Sequence, residues 1–94
     1  MVKGPTAKSI LRHELLGLRV RAEPRGGGMI HEGEVVGETR NMLRILRDDG
    51  RIIMLPKNSY TFIFTLPRGE KVKVEGWAII GRPEERLKKR YRRW

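Results

Sequence analysis

The chain contains no cysteine and has two histidines among its 94 residues. The absence of cysteine excludes disulfide bonds and thiolate metal sites. A zinc site would need more nitrogen or sulfur ligands than His13 and His31 supply. The sequence also lacks an apolar run near the roughly 20 residues of a membrane-spanning helix, and its first residues lack the apolar region of a signal peptide. We therefore expect a cytoplasmic protein that binds no membrane and no cofactor of its own.

The sequence has no recognisable constellation of catalytic residues. Asp48 and Asp49 could hold a magnesium ion, which favours carboxylates and retained waters. Asp before Gly50 is also what a hairpin turn favours, and the turn is the stronger interpretation. Residues 25–28 are rich in glycine, but no Gly-Lys-Ser/Thr follows, so they do not form a phosphate-binding loop. The serines and threonines have no candidate base at a recognisable spacing, and we predict that the chain alone is not catalytic.

Positive charge is the dominant feature of the composition. Lysine and arginine together number 21 against 11 acidic residues, which gives a formal net charge of +10. Such an excess predicts attraction to phosphate-rich partners, with nucleic acid as the first candidate. Alternation along strands would place many of the cations on one surface, where phosphates would bind in a salt-dependent way. The alternative is that these charges form only a solvated surface. The cations in question are Arg19, Arg21, Arg40, Arg44, Arg47, Arg51, Lys57, Lys71 and Lys73.

The last thirteen residues, 82–94, carry seven lysines and arginines and still have the pattern of a helix. Pro83 suits a first helical position, where a missing N–H has no consequence, and the pattern predicts a basic helix over about 83–93. Tyr91 and Trp94 lie on its narrow apolar face. These two rings either stack on bases or dock the helix on the rest of the protein.

The remainder of the chain predicts one domain with a short helix followed by strands. Thr6 and Gly17 are a plausible N-cap and stop for a helix over about 6–16, after which the apolar period changes to 2. Gly33 and Gly37 predict bulges or close backbone approach, and the Asp49–Gly50 pair predicts a hairpin. The strands are expected at 18–23, 30–39, 42–47, 51–55, 60–66, 70–75 and 77–80. Six or seven short strands over about 17–80 indicate a small, strongly bent antiparallel barrel.

Six short stretches, in this order and spacing, resemble archaeal ribonuclease P protein component 1, a family homologous to a eukaryotic ribonuclease P/MRP subunit. The most informative stretch is GEVVGETRNML at 33–43. The others are 11–17, 55–57, 62–64, 66–72 and 81–88. Each stretch is short, and their order and spacing together carry the resemblance, which extends from about residue 8 to residue 90.

The resemblance implies a mainly β fold, an Sm-like or SH3-type barrel of about six bent strands with helices at both ends. It also implies a place in the ribonucleoprotein that removes the 5′ leader from precursor tRNA. In that family the RNA subunit requires Mg²⁺ and carries out the hydrolysis, while the proteins support RNA folding and substrate binding. The resemblance further implies a zinc-ribbon protein partner bound through the N-terminal helix and adjoining strands. The residues expected at that contact are Ile10, Leu11, Glu14 and Leu15.

We predict that the RNA contacts lie at one turn and in the basic C-terminal segment. Arg40 and Asn41 are expected to present a turn to the RNA. The cations expected to hold phosphates are Lys57, Arg82, Arg86, Lys88, Lys89 and Arg90. Two other functions remain open at this point: an Sm-like RNA chaperone that forms a homo-oligomeric ring, and an adaptor whose basic helix binds an acidic protein.

Overall fold

The computed structural model describes residues 15–81. The predicted helix over 83–93 lies outside these residues, as does all but the end of the predicted helix over 6–16. The described part of the chain contains six strands and two short 3₁₀ turns. The strands are β1 (Arg19–Pro24), β2 (His31–Glu38), β3 (Met42–Arg47), β4 (Ile52–Pro56), β5 (Tyr60–Thr65) and β6 (Lys71–Glu75). The 3₁₀ turns are Lys57–Ser59 and Gly76–Ile79. None of the helices described here is long and apolar enough to cross a bilayer.

The six strands form one antiparallel sheet in the order β4-β3-β2-β1-β5-β6. This arrangement confirms the predicted mainly β fold of about six antiparallel strands. The uncharged strand β5 lies between β1 and β6, so its backbone groups are paired on both sides. An uncharged, β-rich segment at a sheet edge would favour aggregation, and its central position removes that risk.

The core lies on the inner surface of this sheet, where the period-2 pattern places the apolar side chains. Val20 and Ala22 of β1 pair in register with Phe64 and Phe62 of β5, and all four are buried. The two phenylalanine rings are stacked with centroids 5.9 Å apart. Burying a side chain of this size contributes about 1.5–3 kcal/mol. The rest of this inner surface is formed by Leu15, Leu18, Val35, Leu43, Ile45, Leu55, Leu66, Val74 and Ile79.

Two glycine predictions are confirmed by the local backbone. A Cβ atom on Gly33 would overlap the carbonyl oxygen of Leu46, so this position needs the close backbone approach that only glycine allows. Gly50 follows Asp49 in the turn between β3 and β4 and has φ +91°, a backbone angle that residues with a side chain rarely adopt. The Asp49 carboxylate accepts a hydrogen bond from the backbone N–H of Arg51 at 3.1 Å, as expected of a residue that stabilises this turn.

A β-bulge in β2 changes which side chains face inward. The register with β3 shifts between Val35 and Gly37, so the strand carries one extra residue there. Before the bulge, Val35 faces inward and pairs with Ile45; after it, Glu38 pairs with the buried Leu43. Unbroken alternation from Val35 would have placed position 38 on the outer surface. The bulge therefore directs the Glu38 carboxylate into the protein.

One predicted strand is wrong. Residues 77–80 do not extend the sheet, because the chain forms the second 3₁₀ turn over Gly76–Ile79. Gly76 lies so close to the first 3₁₀ turn that a Cβ atom would overlap the carbonyl oxygen of Lys57. The turn buries Ile79 and leaves Trp77 60% exposed. A short, continuous apolar run does not distinguish strand from helix by periodicity, and here close backbone packing decides the outcome.

Candidate nucleic-acid interface

The turn between β2 and β3 presents Arg40 and Asn41 at the protein surface. Thr39 closes this turn, since its backbone N–H donates to the Met42 carbonyl at 3.0 Å and its Oγ1 accepts from the Met42 N–H at 3.1 Å. The side chains of Arg40 and Asn41 are exposed at the tip. The structure thus places these two predicted RNA contacts side by side in a turn with a defined backbone.

Lys57 lies beneath this turn and has no exposed surface. Its Nζ donates to Glu38 Oε2 at 2.8 Å and to the carbonyl oxygens of Thr39 at 2.8 Å, Arg40 at 3.1 Å and Gly81 at 2.9 Å. The predicted phosphate contact of Lys57 is therefore corrected. The ammonium is enclosed by protein acceptors and does not reach the surface on which a phosphate would bind.

These residues form a junction of three chain segments, and we call Glu38, Thr39, Arg40, Lys57 and Gly81 the Lys57 junction. Two backbone hydrogen bonds support it. The Lys57 N–H donates to the Asn41 carbonyl at 2.8 Å, and the Gly81 N–H donates to the Arg40 carbonyl at 2.7 Å. A buried charge is tolerated only when it is paired and hydrogen-bonded. The junction meets this condition with one carboxylate and three carbonyl groups around the ammonium.

The basic segment 82–94 begins directly after Gly81 in the sequence. The Lys57 junction therefore fixes the point from which the chain leads into that segment, next to the Arg40–Asn41 turn. The remaining predicted site residues lie outside the described part of the chain. They are Arg82, Arg86, Lys88, Lys89 and Arg90 for RNA, and Ile10, Leu11 and Glu14 for a protein partner.

Leu15 does not agree with its predicted role at a partner contact. The side chain is fully buried and belongs to this chain's own core. Two residues later, Gly17 has φ +86°, and its N–H donates to the Val35 carbonyl at 2.8 Å. This hydrogen bond holds the segment against β2 and turns Leu15 inward, so the side chain has no surface to offer a second protein.

The cations of β1 are paired with acidic residues rather than gathered into a cationic stripe. Arg19 forms a bidentate salt bridge with Asp48. Its Nη1 donates to Oδ1 at 2.7 Å, and its Nη2 donates to Oδ2. Arg21 Nη1 donates to Glu32 Oε2 at 3.3 Å, and its Nε donates to Glu23 Oε2 at 3.0 Å. We call these five residues the β1 charge ladder. This surface carries both signs of charge, contrary to the prediction that its arginines would be available for phosphates.

The Arg19–Asp48 contact also affects the proton affinities of both groups. The hydrogen bond from Arg19 lowers the pKa of the Asp48 carboxyl below its ordinary value of 3.8, and the same bond raises the pKa of Arg19. Both side chains are about half exposed. Asp48 is thus engaged with an arginine instead of facing Asp49 as a metal-binding pair, and residues 15–81 contain no cluster of three or more His, Cys, Asp or Glu suited to a metal ion.

Comparison with known proteins identifies the family. Residues 8–89 match the family model of ribonuclease P/MRP, subunit p29. The chain belongs to this family. It is 49% identical over 90 residues to ribonuclease P protein component 1 of Methanothermobacter thermautotrophicus, covering 94% of this chain and 97% of that protein. It is 53% identical over 87 residues to the protein of the same name from Methanocaldococcus jannaschii, covering 90% of each.

The p29 assignment extends to the fold. A solved structure of a homologue of the human RNase P protein Rpp29 superimposes with a TM-score of 0.54 at 49% sequence identity, covering 78% of this chain and 96% of that one. The family stretch at 33–43 contains the bulge, Glu38 and the Arg40–Asn41 turn, and the short stretch at 55–57 ends at Lys57. Two segments of the p29 resemblance therefore meet at one place, the Lys57 junction.

Sequence reasoning missed Glu38 as part of this site. A usable signal was present, because a glycine-marked bulge reverses the inward and outward positions that follow it. Counting from the predicted bulge at Gly37 turns Glu38 toward the core, where a carboxylate requires a cationic partner. No comparable signal marks Lys57 as buried, because three of its four acceptors are backbone carbonyls.

Proposed function

We propose that this chain is a non-catalytic, RNA-binding subunit of ribonuclease P that supports removal of the 5′ leader from precursor tRNA. Its relatives are named as ribonuclease P components, and membership of the p29 family carries the subunit assignment. In this proposal the RNA subunit binds the Mg²⁺ ions and performs the hydrolysis. The protein acts in the cytoplasm by contacting the RNA of the complex and through it the precursor tRNA.

The observation that best supports an RNA contact is the Arg40–Asn41 turn. Its two side chains are exposed, whereas its backbone is held from below by the Lys57 junction. An arginine provides charge-assisted hydrogen bonds to phosphate, and an asparagine both donates and accepts. The seven cations of segment 82–94 follow directly after Gly81 in the sequence, and we propose that they add further phosphate contacts. Phosphate contacts of this kind give binding that weakens as salt is raised.

We also propose that a zinc-ribbon protein subunit binds near the N-terminus through Ile10, Leu11 and Glu14. Leu15 is not part of this contact because it lies in the core. Replacing Leu11 with aspartate would place a charge in the apolar contact. Co-elution of the two proteins on a sizing column tests this assignment, and unchanged co-elution of the Leu11→Asp variant would contradict it.

The first experiment is reconstitution of precursor-tRNA cleavage at low Mg²⁺ with the cognate ribonuclease P RNA. We expect stimulation when this chain and its zinc-ribbon partner are both present, and its loss when either protein is omitted. A folded protein that leaves cleavage unchanged would contradict the subunit role. In that case light scattering would distinguish a monomer from the six- or sevenfold mass of an Sm-like chaperone ring.

The contact surface is tested by replacing Arg40 and Asn41 with alanine and measuring affinity for the ribonuclease P RNA across a salt titration. We expect about a tenfold loss of affinity and a salt slope shallower by about 1, as for the loss of one phosphate contact. Arg68→Ala is the matched control. Arg68 is also exposed in a hairpin turn but lies at the opposite end of β5 from Lys57, roughly 20 Å away for a six-residue strand. Equal losses for the two variants would show that only total charge matters.

A further inference from the structure

We propose that Lys57 is a positioning residue that joins the Arg40–Asn41 turn to Gly81 and holds the turn preorganised in the arrangement that binds RNA. This inference rests on the proposed function. It assigns to Lys57 an effect on RNA binding without any contact between Lys57 and RNA. It also includes Glu38, the carboxylate that accompanies the ammonium into the interior.

The Lys57 ammonium is enclosed in the interior of the protein. Lys57 has no exposed surface, and the side chain of Glu38 is 2% exposed. The four acceptors within 3.1 Å of Nζ come from two segments that are distant in the sequence, residues 38–40 and Gly81. A lysine ammonium provides three donors and no acceptor, so a cluster of converging oxygens is the environment that suits it. An apolar side chain of the same length would leave these oxygens without their donor.

Two of the groups that accept hydrogen bonds from this ammonium lie in the Arg40–Asn41 turn. The carbonyls of Thr39 and Arg40 belong to the backbone of the turn itself. Because both of these consecutive carbonyls are held toward the ammonium, the orientations of their peptide planes are fixed. These planes set the directions in which the side chains of Arg40 and Asn41 leave the backbone. The Lys57 N–H on the Asn41 carbonyl adds a third restraint to the same turn.

The turn is also linked to Gly81. The Arg40 carbonyl accepts from both the Gly81 N–H and Lys57 Nζ, while the Gly81 carbonyl accepts from Nζ as well. The turn and Gly81 are therefore linked directly by a backbone hydrogen bond and indirectly through the ammonium to which both are bonded. Surfaces that are ordered before binding lose less conformational entropy when the ligand arrives. Removing the ammonium leaves the Gly81 N–H to Arg40 carbonyl bond as the remaining link described between Gly81 and the turn, and we expect the turn to loosen and RNA binding to weaken.

The test is a double-mutant cycle on affinity for the cognate ribonuclease P RNA. The first arm is Lys57→Met, and the second is the paired Arg40→Ala and Asn41→Ala change. We expect Lys57→Met to weaken binding about tenfold. We also expect the alanine changes to add little in the Lys57→Met background, because the contacts they remove are already lost. Arg68→Ala should give the same small effect in both backgrounds.

A second variant covers the case in which Lys57→Met does not fold. Replacing both Lys57 and Glu38 with methionine removes the buried charges together and keeps the interior filled, a change that is often neutral for stability. This variant should fold, as judged by circular dichroism and a cooperative unfolding transition, yet bind RNA as weakly as the single variant.

The outcomes separate this inference from the proposed function. If the alanine changes alone leave affinity unchanged, the turn is not an RNA contact and the proposed contact surface fails. If they weaken binding while the double methionine variant keeps full affinity, only the positioning role of Lys57 is overturned. Fully additive losses in the cycle would also overturn it, since residues that act through one another cannot give independent effects.

Discussion

Two ion pairs in this chain have nearly the same length but opposite surroundings. Lys57 Nζ lies 2.8 Å from Glu38 Oε2, and Arg19 Nη1 lies 2.7 Å from Asp48 Oδ1. The first pair is 0% and 2% exposed, whereas the second is 51% and 56% exposed. Water and salt weaken a charge pair at the surface, but a pair in the interior interacts in a low dielectric. The comparison indicates that exposure, and not separation, determines which pair organises the chain around it.

The two pairs also differ in the groups to which their side chains are bonded. The β1 charge ladder joins side chains to side chains within β1, between β1 and β2, and between β1 and the turn after β3, so its loss leaves the backbone pairing intact. The Lys57 junction joins a side chain to backbone carbonyls of separate segments. Groups at the surface regain hydrogen bonds from water when a partner is removed, and buried groups do not. The two sites should therefore respond very differently to equivalent substitutions.

The largest effect is expected for Lys57→Met. This change leaves the Glu38 carboxylate and several carbonyls without their cation, and breaking a buried pair in this way costs about 3–5 kcal/mol of unfolding free energy. Urea denaturation followed by circular dichroism measures the loss. Lys73→Met is the matched control, because Lys73 lies exposed on the edge strand β6, and we expect a change of about 0.5 kcal/mol or less. Similar losses in the two variants would contradict the comparison.

An intermediate effect is expected when both buried charges are removed. The combined Lys57→Met and Glu38→Met variant leaves no uncompensated ion in the interior, and such replacements are often neutral or stabilising. We expect it to recover most of the stability lost in Lys57→Met, in the same denaturation experiment. A double variant no more stable than the single one would show that the carbonyl groups, rather than the carboxylate, account for the loss.

The smallest effect is expected for Asp48→Asn, which removes the charge of the exposed pair. Because the folded pKa of Asp48 lies below its ordinary value of 3.8, the full contribution of the pair to stability is present above that ordinary value. Its contribution is lost as the pH falls through the folded pKa. The difference in unfolding free energy between wild type and variant should thus be small and constant at neutral pH, and should vanish in acid or in high salt. A difference that grows with acidification would contradict the assignment.

The strands were predictable because each of them obeys a local rule. Alternation placed Val20, Phe62 and Phe64 inward, and the Asp49–Gly50 pair marked the hairpin between β3 and β4. The charge ladder was not predictable from alternation, which correctly turned Arg19 and Arg21 outward but gave no information about their neighbours. Strand register supplies one of those neighbours, since it pairs Arg21 with Glu32, whereas Asp48, the partner of Arg19, comes from the turn between β3 and β4. The expected cationic stripe failed for this reason.

The candidate site was only partly predictable. The Arg40–Asn41 turn was found because its residues are typical of an exposed turn between two strands. The burial of Lys57 depends on carbonyl groups of Thr39, Arg40 and Gly81, and every residue has a carbonyl, so no side-chain pattern reports it. Leu15 was misassigned for a related reason. An apolar residue at the end of a predicted helix suits a partner surface or the core equally well, and the hydrogen bond between Gly17 and Val35 decides between them.

The bulge in β2 makes the length of this strand as important as its composition. Glu38 lies three positions after Val35, whereas inward positions of a regular strand lie an even number of residues apart, so the bulge must absorb one residue for both side chains to face inward. Without the bulge, unbroken alternation over the same residues would place Gly37 in the interior and Glu38 toward solvent, which would leave Lys57 buried without its carboxylate. The ion pair is therefore encoded by the bulge as well as by its two charged residues. Comparison of p29 proteins should consequently ask whether the bulge is kept, even where glutamate and lysine are both retained.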